Sequence, residues 1–411
     1  AAKIIANLAD ANKQDNGIAL NEGENELAIG YYLIVDTTDE LTGQDTFYNA
    51  SLLQLTTSIH IRVKGEAPKV EKEVEDVNDS ETGDPVWGTS ADHDIGDHVK
   101  FKLTATLPSN FTDYEQYNLV FHDTLSEGLT FDEGTVTVKL VNGEGDAATT
   151  STIEESAYTV THENGKLTIT FDDVTTIEGA TNGSKIVVEY TATLNEQAQF
   201  INKNEVYLEY SNNPNHDGEG DKGTTPPTTV IVLTYKGIVN KVDGENKPLP
   251  GAGFTLYKYN AASEAEDKWE LKTKIEASDA ADFTFSGLDD GWYKLVESET
   301  PAGYNTAADI YFKITAVHER TEDGTTGKVT GFTVTVTDEN GTTKTFEEGK
   351  EPFTVVADTG EVSTSVVNNK GATLPETGGI GTTIFYALGG LLTVGAVVLL
   401  VTKKRMSADE K

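Results

Sequence analysis

The segment that decides the fold is KIVVEYTAT, residues 185–193. β-Branched and aromatic residues alternate there with charged and polar ones, which is the pattern of a strand with one buried face. The same alternation recurs at residues 135–141, 166–171 and 331–337, between turns rich in Gly, Asn and Asp. Short strands at this spacing predict an all-β chain of β-sandwiches. Only residues 2–12 have a helical pattern.

Shifts in composition predict four parts in the chain. The segment GEAP at residues 65–68 marks the first boundary, and a polar run with two adjacent prolines at residues 211–229 marks the second. The four predicted parts are a truncated N-terminal domain at 1–66, one sandwich at 67–234, another at 235–371 and a C-terminal signal at 372–411.

Composition excludes several classes of function. Among 411 residues, 68 Asp and Glu oppose 31 Lys and Arg, which gives a formal charge of −37. A nucleic-acid partner is therefore not expected, because phosphates require a basic surface. The chain contains no Cys, so disulfides, thiolate nucleophiles and zinc–thiolate sites are excluded.

The C-terminal region has the pattern of a membrane span. Residues 377–402 contain no charged side chain, and Lys403, Lys404 and Arg405 follow directly. We predict a transmembrane helix at 383–402, with the basic residues on the cytoplasmic side and the preceding chain outside the cell. The alternative is a buried core helix, which two adjacent glycines in mid-span and a basic end both disfavour.

The pentapeptide LPETG precedes this span, and its residues are Leu374, Pro375, Glu376, Thr377 and Gly378. Pentapeptide, apolar span and basic tail, in this order, resemble the LPXTG sorting signals of Gram-positive surface proteins. The resemblance implies that a sortase cleaves after Thr377, holds it as a thioester and passes it to an amine. Such a protein needs an export signal, and Ala1 follows no basic and apolar leader, so we expect a processed chain or a fragment.

Two further regions resemble domains of LPXTG-anchored backbone pilins. Residues 235–371 resemble a collagen-adhesin B-type (Cna-B, prealbumin-like) domain, and residues 67–234 an isopeptide-forming fimbrial domain. The matching motifs are KVDG at 241–244, PLPGAGF at 248–254, GWYKLVE at 291–297, PAGY at 301–304, PKVEK at 68–72 and FHDTLSEGL at 121–129. The resemblance implies tandem immunoglobulin-like β-sandwiches, and GYYLIVD at 30–36 is similar to a strand of the N-terminal pilin domain.

The resemblance also implies a spontaneous amide between a lysine and an asparagine inside each sandwich, promoted by an acid. The matching residues are Lys72, Asn204 and Asp123 in the first sandwich, and Lys241, Asn368 and Glu297 in the second. Such links are expected to tie the first strand of each sandwich to its last. They would close loops of 132 and 127 residues, worth roughly 5 kcal/mol each if the chain-entropy estimate for disulfides applies.

Strand alternation offers an independent reason to expect these residues inside. Side chains two apart on a strand share a face, and Lys72 lies in step with Val70 and Val74. Lys241 is the weakest of the six, since it is in step with Val239 alone. Burial favours a neutral, nucleophilic amine and a protonated carboxyl. The alternative is an ion pair beside a satisfied amide, but the twofold recurrence of Lys, acid and Asn favours the cross-link.

A pilin also needs an acceptor lysine for the next subunit. The family places it in a Tyr-Pro-Lys-Asn motif at the end of the first domain, and the matching stretch here is IHIRVKG at residues 59–65. Lys64 is the predicted acceptor and Lys69 the second candidate. The alternative for Lys64 is an exposed linker charge.

Other groups of reactive residues give only weak evidence for a metal or catalytic site. Acids and histidines crowd residues 92–98 (Asp92, His93, Asp94, Asp97 and His98), where we expect a solvated turn. No metal or cofactor is predicted, and no Gly-x-Ser-x-Gly or His-Glu-x-x-His motif suggests catalysis on an outside substrate.

The sequence therefore predicts a structural backbone subunit of a sortase-assembled, wall-anchored pilus on the cell surface, which supports adhesion and is not an enzyme. The alternative is a singly anchored adhesin with stalk-like sandwiches, and a surface hydrolase lacks a supporting motif. Expected partners are pilus-class and housekeeping sortases, neighbouring pilin subunits and peptidoglycan, with a host surface ligand as a candidate.

Overall fold

The computed structural model describes residues 29–35, 50–56, 67–214, 221–321 and 326–371. Throughout these ranges the chain forms β-strands and short 3-10 helices, without an α-helix. The predicted all-β class is confirmed. Within the same ranges, no helix has the length and apolar character needed to cross a membrane. The predicted span at 383–402 and the helical pattern at 2–12 lie outside the described residues.

The first two strands pair with each other as an antiparallel two-stranded sheet. They are β1 (Gly30–Val35) and β2 (Ala50–Leu55).

The first sandwich consists of two facing seven-stranded sheets. One has the order β10-β9-β13-β6-β3-β4, with β8 beside β13. Its strands are β3 (Lys69–Asp76), β4 (Val86–Gly88), β6 (His98–Thr106), β8 (Leu129–Phe131), β9 (Thr137–Asn142), β10 (Thr149–Thr152) and β13 (Lys185–Leu194). The other has the order β11-β12-β7-β14-β16-β5, with β15 beside β14. Its strands are β5 (Ser90–Asp92), β7 (Leu119–Leu125), β11 (Thr159–Glu163), β12 (Lys166–Phe171), β14 (Ile201–Ser211), β15 (Lys222–Thr224) and β16 (Thr228–Leu233).

The second sandwich pairs a four-stranded sheet with a five-stranded one. The four-stranded order is β20-β17-β25-β24, where β17 and β25 run parallel. Its strands are β17 (Tyr235–Asp243), β20 (Asp282–Leu288), β24 (Phe353–Val356) and β25 (Glu361–Asn368). The five-stranded order is β19-β18-β21-β22-β23. Its strands are β18 (Gly253–Tyr259), β19 (Trp269–Ile275), β21 (Gly291–Glu299), β22 (Ile310–Arg320) and β23 (Gly327–Thr337).

In the described part of the chain, five connections contain a short 3-10 helix. They are η1 (Phe111–Asp113), η2 (Gly145–Ala147), η3 (Glu155–Ala157), η4 (Val174–Thr176) and η5 (Ala357–Thr359).

The alternating pattern of residues 185–193, which predicted the fold, explains which of their side chains are buried. Along β13 the residues Ile186, Val188, Tyr190 and Ala192 are buried, while the intervening side chains are half-buried. This face packs on the opposite sheet and forms the core of the first sandwich. Burial of apolar surface at about 25 cal/mol per Å² is the main source of stability for such a layer.

The two sandwiches contact each other directly. Ile231 and Leu233 of β16 belong to the hydrophobic core of the second sandwich, and the Ile95 amide donates a hydrogen bond to the Gly287 carbonyl across the junction. The strands β3–β16 and β17–β25 fall within the predicted limits 67–234 and 235–371, which as domain boundaries stay predictions.

Candidate cross-linking sites

The first site lies between the two sheets of the first sandwich. Lys72 on β3 extends from one sheet, and Asp123 on β7 and Asn204 on β14 extend from the other. The Lys72 Nζ donates to Asp123 Oδ2 at 2.5 Å and to Asn204 Oδ1 at 2.7 Å. All three residues are at most 2% exposed. The structure thus brings together the three residues predicted for this site.

The register of the strands explains this meeting. Strands β7 and β14 are antiparallel neighbours in which Val206 lies opposite Asp123. Asn204 is two residues before Val206 and therefore projects from the same face as Asp123. Lys72 is the basic side chain of the three, and its Nζ lies 5.5 Å from the centroid of the Phe101 ring.

Burial changes the protonation of these groups. It lowers the pKa of Lys72 to about 8, because the charged ammonium loses its hydration. Burial likewise raises the pKa of Asp123, although the neighbouring lysine acts in the opposite direction. Both shifts favour the neutral pair of amine and carboxylic acid over the ion pair.

Tyr190 completes the first site, a role that the sequence did not predict. Its hydroxyl accepts a hydrogen bond from Asn204 Nδ2 at 2.6 Å and donates one to Asp123 Oδ2 at 3.1 Å. The hydroxyl thus connects the leaving nitrogen to the acid. The sequence signal that could have identified it is an aromatic residue with a polar hydroxyl, placed on the same strand face as the core residues Val188 and Ala192.

The second site joins the two sheets of the second sandwich. Asn368 on β25 donates from Nδ2 to Glu297 Oε1 on β21 at 2.7 Å. Lys241 Nζ on β17 lies 3.8 Å from the same Glu297 oxygen. The second oxygen of Glu297 accepts from the Ala307 backbone amide at 2.7 Å. These three predicted residues also meet in a buried position.

The amine of the second site is held differently from that of the first. Lys241 Nζ donates to the backbone carbonyls of Val366 at 2.9 Å and Val242 at 3.3 Å. Asn368 Oδ1 has no hydrogen-bond partner within the described part of the chain. Burial lowers the pKa of Lys241, so a neutral amine is favoured here as well. Reaction at this site requires the amine to leave a carbonyl and turn to Asn368.

The position of the strands corrects one expectation. In the second sandwich, β17 and β25 are the first and last strands, as expected. In the first sandwich, however, Asn204 lies on β14, and β15 and β16 follow it in the same sheet. The expectation that this link joins the first strand to the last was wrong, since β16 fills the sheet next to β14.

Of the remaining predicted site residues, the structure describes Lys69 alone. Lys64 and the sorting residues 374–378 lie outside the described residues. Lys69 is exposed at the start of β3.

The expectation of a solvated turn at residues 92–98 agrees with the exposed side chain of His98 but was wrong for the first three residues. Asp92, His93 and Asp94 are buried rather than solvated, because the second sandwich covers this loop. The cause is a contact between distant segments, which local turn chemistry does not reveal.

Three family models match the chain in succession. The Gram-positive pilin backbone subunit 2, Cna-B-like domain matches residues 95–214. The prealbumin-like fold domain matches residues 236–330, and the LPXTG cell wall anchor motif matches residues 366–407. Together they cover more than half of the chain.

Relatives of the chain include surface proteins and pilins of streptococci. The trypsin-resistant surface T6 protein of Streptococcus pyogenes serotype M6 is 27% identical, over 82% of this chain and 68% of that protein. The solved T6 backbone pilin of that serotype is 20% identical with a TM-score of 0.48, covering 79% of this chain and 77% of that one. The full-length major pilin of Streptococcus pneumoniae is 16% identical with a TM-score of 0.48, covering 79% and 78%.

The three family matches follow one another in the order expected of a wall-anchored backbone pilin. A pilin backbone domain precedes a prealbumin-like domain, and a wall-anchor motif follows at the C-terminal end. The anchor motif and the surface relative place the chain at the cell surface, attached to the cell wall. The chain belongs to the LPXTG-anchored backbone pilins of Gram-positive bacteria.

Proposed function

We propose that this backbone pilin is a shaft subunit that staples itself with two internal Lys–Asn amides before a sortase joins it to its neighbours. The observation that carries the proposal is the contact of Lys72 Nζ with both Asn204 Oδ1, at 2.7 Å, and Asp123 Oδ2, at 2.5 Å, inside an apolar core.

The reaction at the first site follows from these contacts. The neutral Lys72 amine attacks the Asn204 Cγ, the Nζ–Cγ bond forms and the Cγ–Nδ2 bond breaks. Asp123 donates a proton toward the amide oxygen and then transfers the amine proton to the departing nitrogen, so that one ammonia leaves. The hydroxyl of Tyr190, which bridges Asn204 and Asp123, gives a route for that proton.

The second site supports the same chemistry with Lys241, Asn368 and Glu297. Each reaction occurs once per chain and consumes the protein's own side chains. We therefore assign no turnover on an outside substrate, and the acids Asp123 and Glu297 act as promoters of self-modification.

Assembly requires an amine from one subunit and a threonyl group from another. We propose Lys64 as that amine and Thr377 as the threonyl donor, with a pilus-class sortase joining subunits and a housekeeping sortase attaching the last one to peptidoglycan. Each transfer exchanges the Thr377–Gly378 peptide bond for a new amide. A ligand on a host surface would make the shaft adhesive.

Cell-wall extracts test polymerisation. Wild-type pilin is expected to run as a high-molecular-weight ladder on denaturing gels, and Lys64→Ala should collapse the ladder to the monomer. Lys69→Ala, which removes an exposed lysine five residues away, is the matched control and should leave the ladder intact. A single wall-attached band from the wild type would instead identify a singly anchored adhesin, and a ladder that survives Lys64→Ala would refute the acceptor assignment.

A further inference from the structure

A histidine of the second sandwich reaches across the junction into the first. His318 lies on β22, and its Nε2 is 3.3 Å from Asp92 Oδ1 and 3.6 Å from Asp76 Oδ2. Asp92 ends β5 and Asp76 ends β3, so both carboxylates belong to the first sandwich. The side chains of His318 and Asp92 are 10% and 5% exposed. One imidazole therefore contacts two strands of the neighbouring sandwich at a place that water barely reaches.

The other ring nitrogen of His318 also contacts the first sandwich. Its Nδ1 lies 2.9 Å from the hydroxyl oxygen of Ser90 on β5. A hydroxyl can donate a hydrogen bond to an unprotonated ring nitrogen or accept one from a protonated nitrogen. The site therefore accommodates both the neutral and the charged ring, but only the charged ring places a positive charge beside the two carboxylates.

Among the described residues, carboxylates outnumber lysines and arginines around this imidazole. The acids come from the end of β3 and the segment after it, from β5 and the loop after it, and from the β20–β21 turn. They are Asp76, Asp79, Asp92, Asp94, Asp97, Asp289 and Asp290. A buried excess of negative charge disfavours docking of the two sandwiches unless protons or cations compensate it.

Permanent cations offset only part of this charge. Lys258 Nζ donates to Asp94 at 2.8 Å and to Asp289 at 2.9 Å. Lys272 Nζ lies 3.3 Å from Asp94 Oδ1, and Arg320 on β22 donates to a backbone carbonyl of β16. These cations are engaged elsewhere in the junction, so compensation of the two acids beside His318 depends on the imidazole.

His93 provides a second ring near the same acids. Its Nε2 lies 2.8 Å from the Glu75 carbonyl oxygen, and its Nδ1 lies 3.6 Å from Asp97 Oδ2. Both neighbouring oxygens accept hydrogen bonds, so a ring with a proton on each nitrogen fits best. Both partners belong to the first sandwich. His93 therefore stabilises the loop that the second sandwich covers, whereas the contacts of His318 cross the junction.

The surroundings of His318 favour its charged form. Burial alone disfavours an imidazolium, but the neighbouring carboxylates, Asp92 first among them, raise the pKa of His318 above the usual 6.5. Burial also opposes the charge of Asp92, yet His318 and the Tyr235 hydroxyl hold the pKa of this carboxyl below its usual value. Burial raises the pKa of Asp290 to about 7. As the pH rises, His318 loses its charge and Asp290 gains one, so both changes make the junction more negative.

We propose that His318 is a proton-operated latch between the two sandwiches: its charged ring ties β22 to β3 and β5, and loss of the proton loosens the junction. A base that binds its proton more tightly in the docked state stabilises docking fully below its ordinary pKa of 6.5. This stabilisation is lost as the pH rises through the higher pKa of the docked state. A shaft built from such subunits is stiffer in a mildly acidic medium than in an alkaline one. The latch does not depend on the internal amides or on polymerisation.

Hydrogen exchange at amides that cross the junction tests the latch. The Ile95 amide donates to the Gly287 carbonyl and the Trp292 amide to the Ser80 hydroxyl, so both lose protection when the sandwiches separate. The full chain is held in a non-ionic detergent, and exchange at pH 6 and pH 8.5 is localised by mass spectrometry and corrected for the intrinsic rate. In the wild type, protection of both amides should be at least about tenfold greater at pH 6, as expected for one hydrogen bond to a charged group.

His318→Gln keeps a hydrogen-bond donor in place but cannot take up the proton. Its ratio of protection between the two pH values should be about tenfold smaller than that of the wild type. His162→Gln is the matched control, because His162 lies on β11, at the opposite edge of the sheet from β5. It should keep the wild-type ratio.

The wild type alone can overturn the proposal, even if His318→Gln fails to fold. Protection of the junction amides that does not fall between pH 6 and pH 8.5 would contradict the latch. Amides of β13 lie inside the first sandwich and should show a smaller fall, so an equal fall there would assign the effect to global unfolding and refute the latch. Equal ratios in His318→Gln and His162→Gln would do the same.

Discussion

The amine of Lys72 lies 2.7 Å from the amide oxygen of Asn204, although the two residues are 132 positions apart in the chain. Lys72 belongs to one sheet of its sandwich and Asn204 to the other. An amide between them would cross the core and connect the sheets covalently. Pulling the sheets apart would then load a covalent bond as well as packing contacts.

The intact mass of the purified chain should be lower than the sequence mass by two ammonia molecules. Asp123→Ala and Glu297→Ala should each restore the mass of one ammonia, because each removes the acid that moves protons at one site. Glu299→Ala, on the same strand as Glu297 but exposed, is the control. Electrospray mass spectrometry measures the difference. An unmodified wild-type mass would contradict both cross-links.

Tyr190→Phe should slow the first cross-link without affecting the second. The substitution removes the hydroxyl that bridges Asn204 and Asp123 and keeps the packing of the ring. Loss of a proton-transfer group typically costs about 10²-fold or more in rate. The time course of ammonia loss after cell-free synthesis measures the rate.

Tyr117→Phe is the matched control for this substitution. Its hydroxyl is buried and has no hydrogen-bond partner among the described residues. It should react at the wild-type rate. Equal rates for Tyr190→Phe and the wild type would exclude the bridge from the reaction.

In Asn204→Ala, which cannot form the first cross-link, stability should increase between pH 8 and pH 10. Burial lowers the pKa of folded Lys72 from 10.5 to about 8. In this interval the unfolded chain binds more protons than the folded chain, so raising the pH favours folding. The full gain is on the order of 3 kcal/mol. Denaturant unfolding at a series of pH values measures it.

The double variant Lys72→Met/Asn204→Ala is the control for this pH dependence. It lacks the titrating amine but keeps a side chain of similar length in the core. Its stability should show no corresponding rise over the same interval. A rise of equal size in both variants would assign the effect to other groups.

Gly287→Ala should destabilise the junction between the sandwiches. Gly287 has a φ of +72°, and an added Cβ would lie 2.4 Å from Ile95 side-chain atoms. The steric overlap is expected to cost about 1–3 kcal/mol. Gly303→Ala is the matched control, since Gly303 also has a positive φ, of +86°, but an added Cβ would meet no atom within 4 Å. Thermal unfolding compares the two, and an equal loss of Tm would show that steric contact at the junction is unimportant.

Several features of the fold and of the candidate sites followed from residue order. Alternation along the segments around Lys72, Asp123 and Asn204 predicted that these side chains point inward, and all three are buried. The same holds for Lys241, whose pattern was the weakest. The prediction succeeded because the two-residue repeat of a strand assigns a face locally.

Other features depended on contacts between distant segments. Tyr190 lies in the alternating segment that predicted a strand, but its hydrogen bonds to Asp123 and Asn204 arise from the packing of β13 against the opposite sheet. The acids at Asp92 and Asp94 looked like a solvated turn, and they are buried because the second sandwich packs over them.

The features that the sequence predicted and those that it did not differ in the range of the interactions that determine them. Short-range sterics set which face of a strand each side chain takes, so the inward-facing lysines and acids could be read from neighbouring residues. Sheet pairing and the docking of the sandwiches set which faces meet, and both involve residues far apart in the chain. Composition and alternation therefore established an acidic, all-β chain, whereas three-dimensional packing created the Tyr190 bridge and buried Asp92 and Asp94 at the junction.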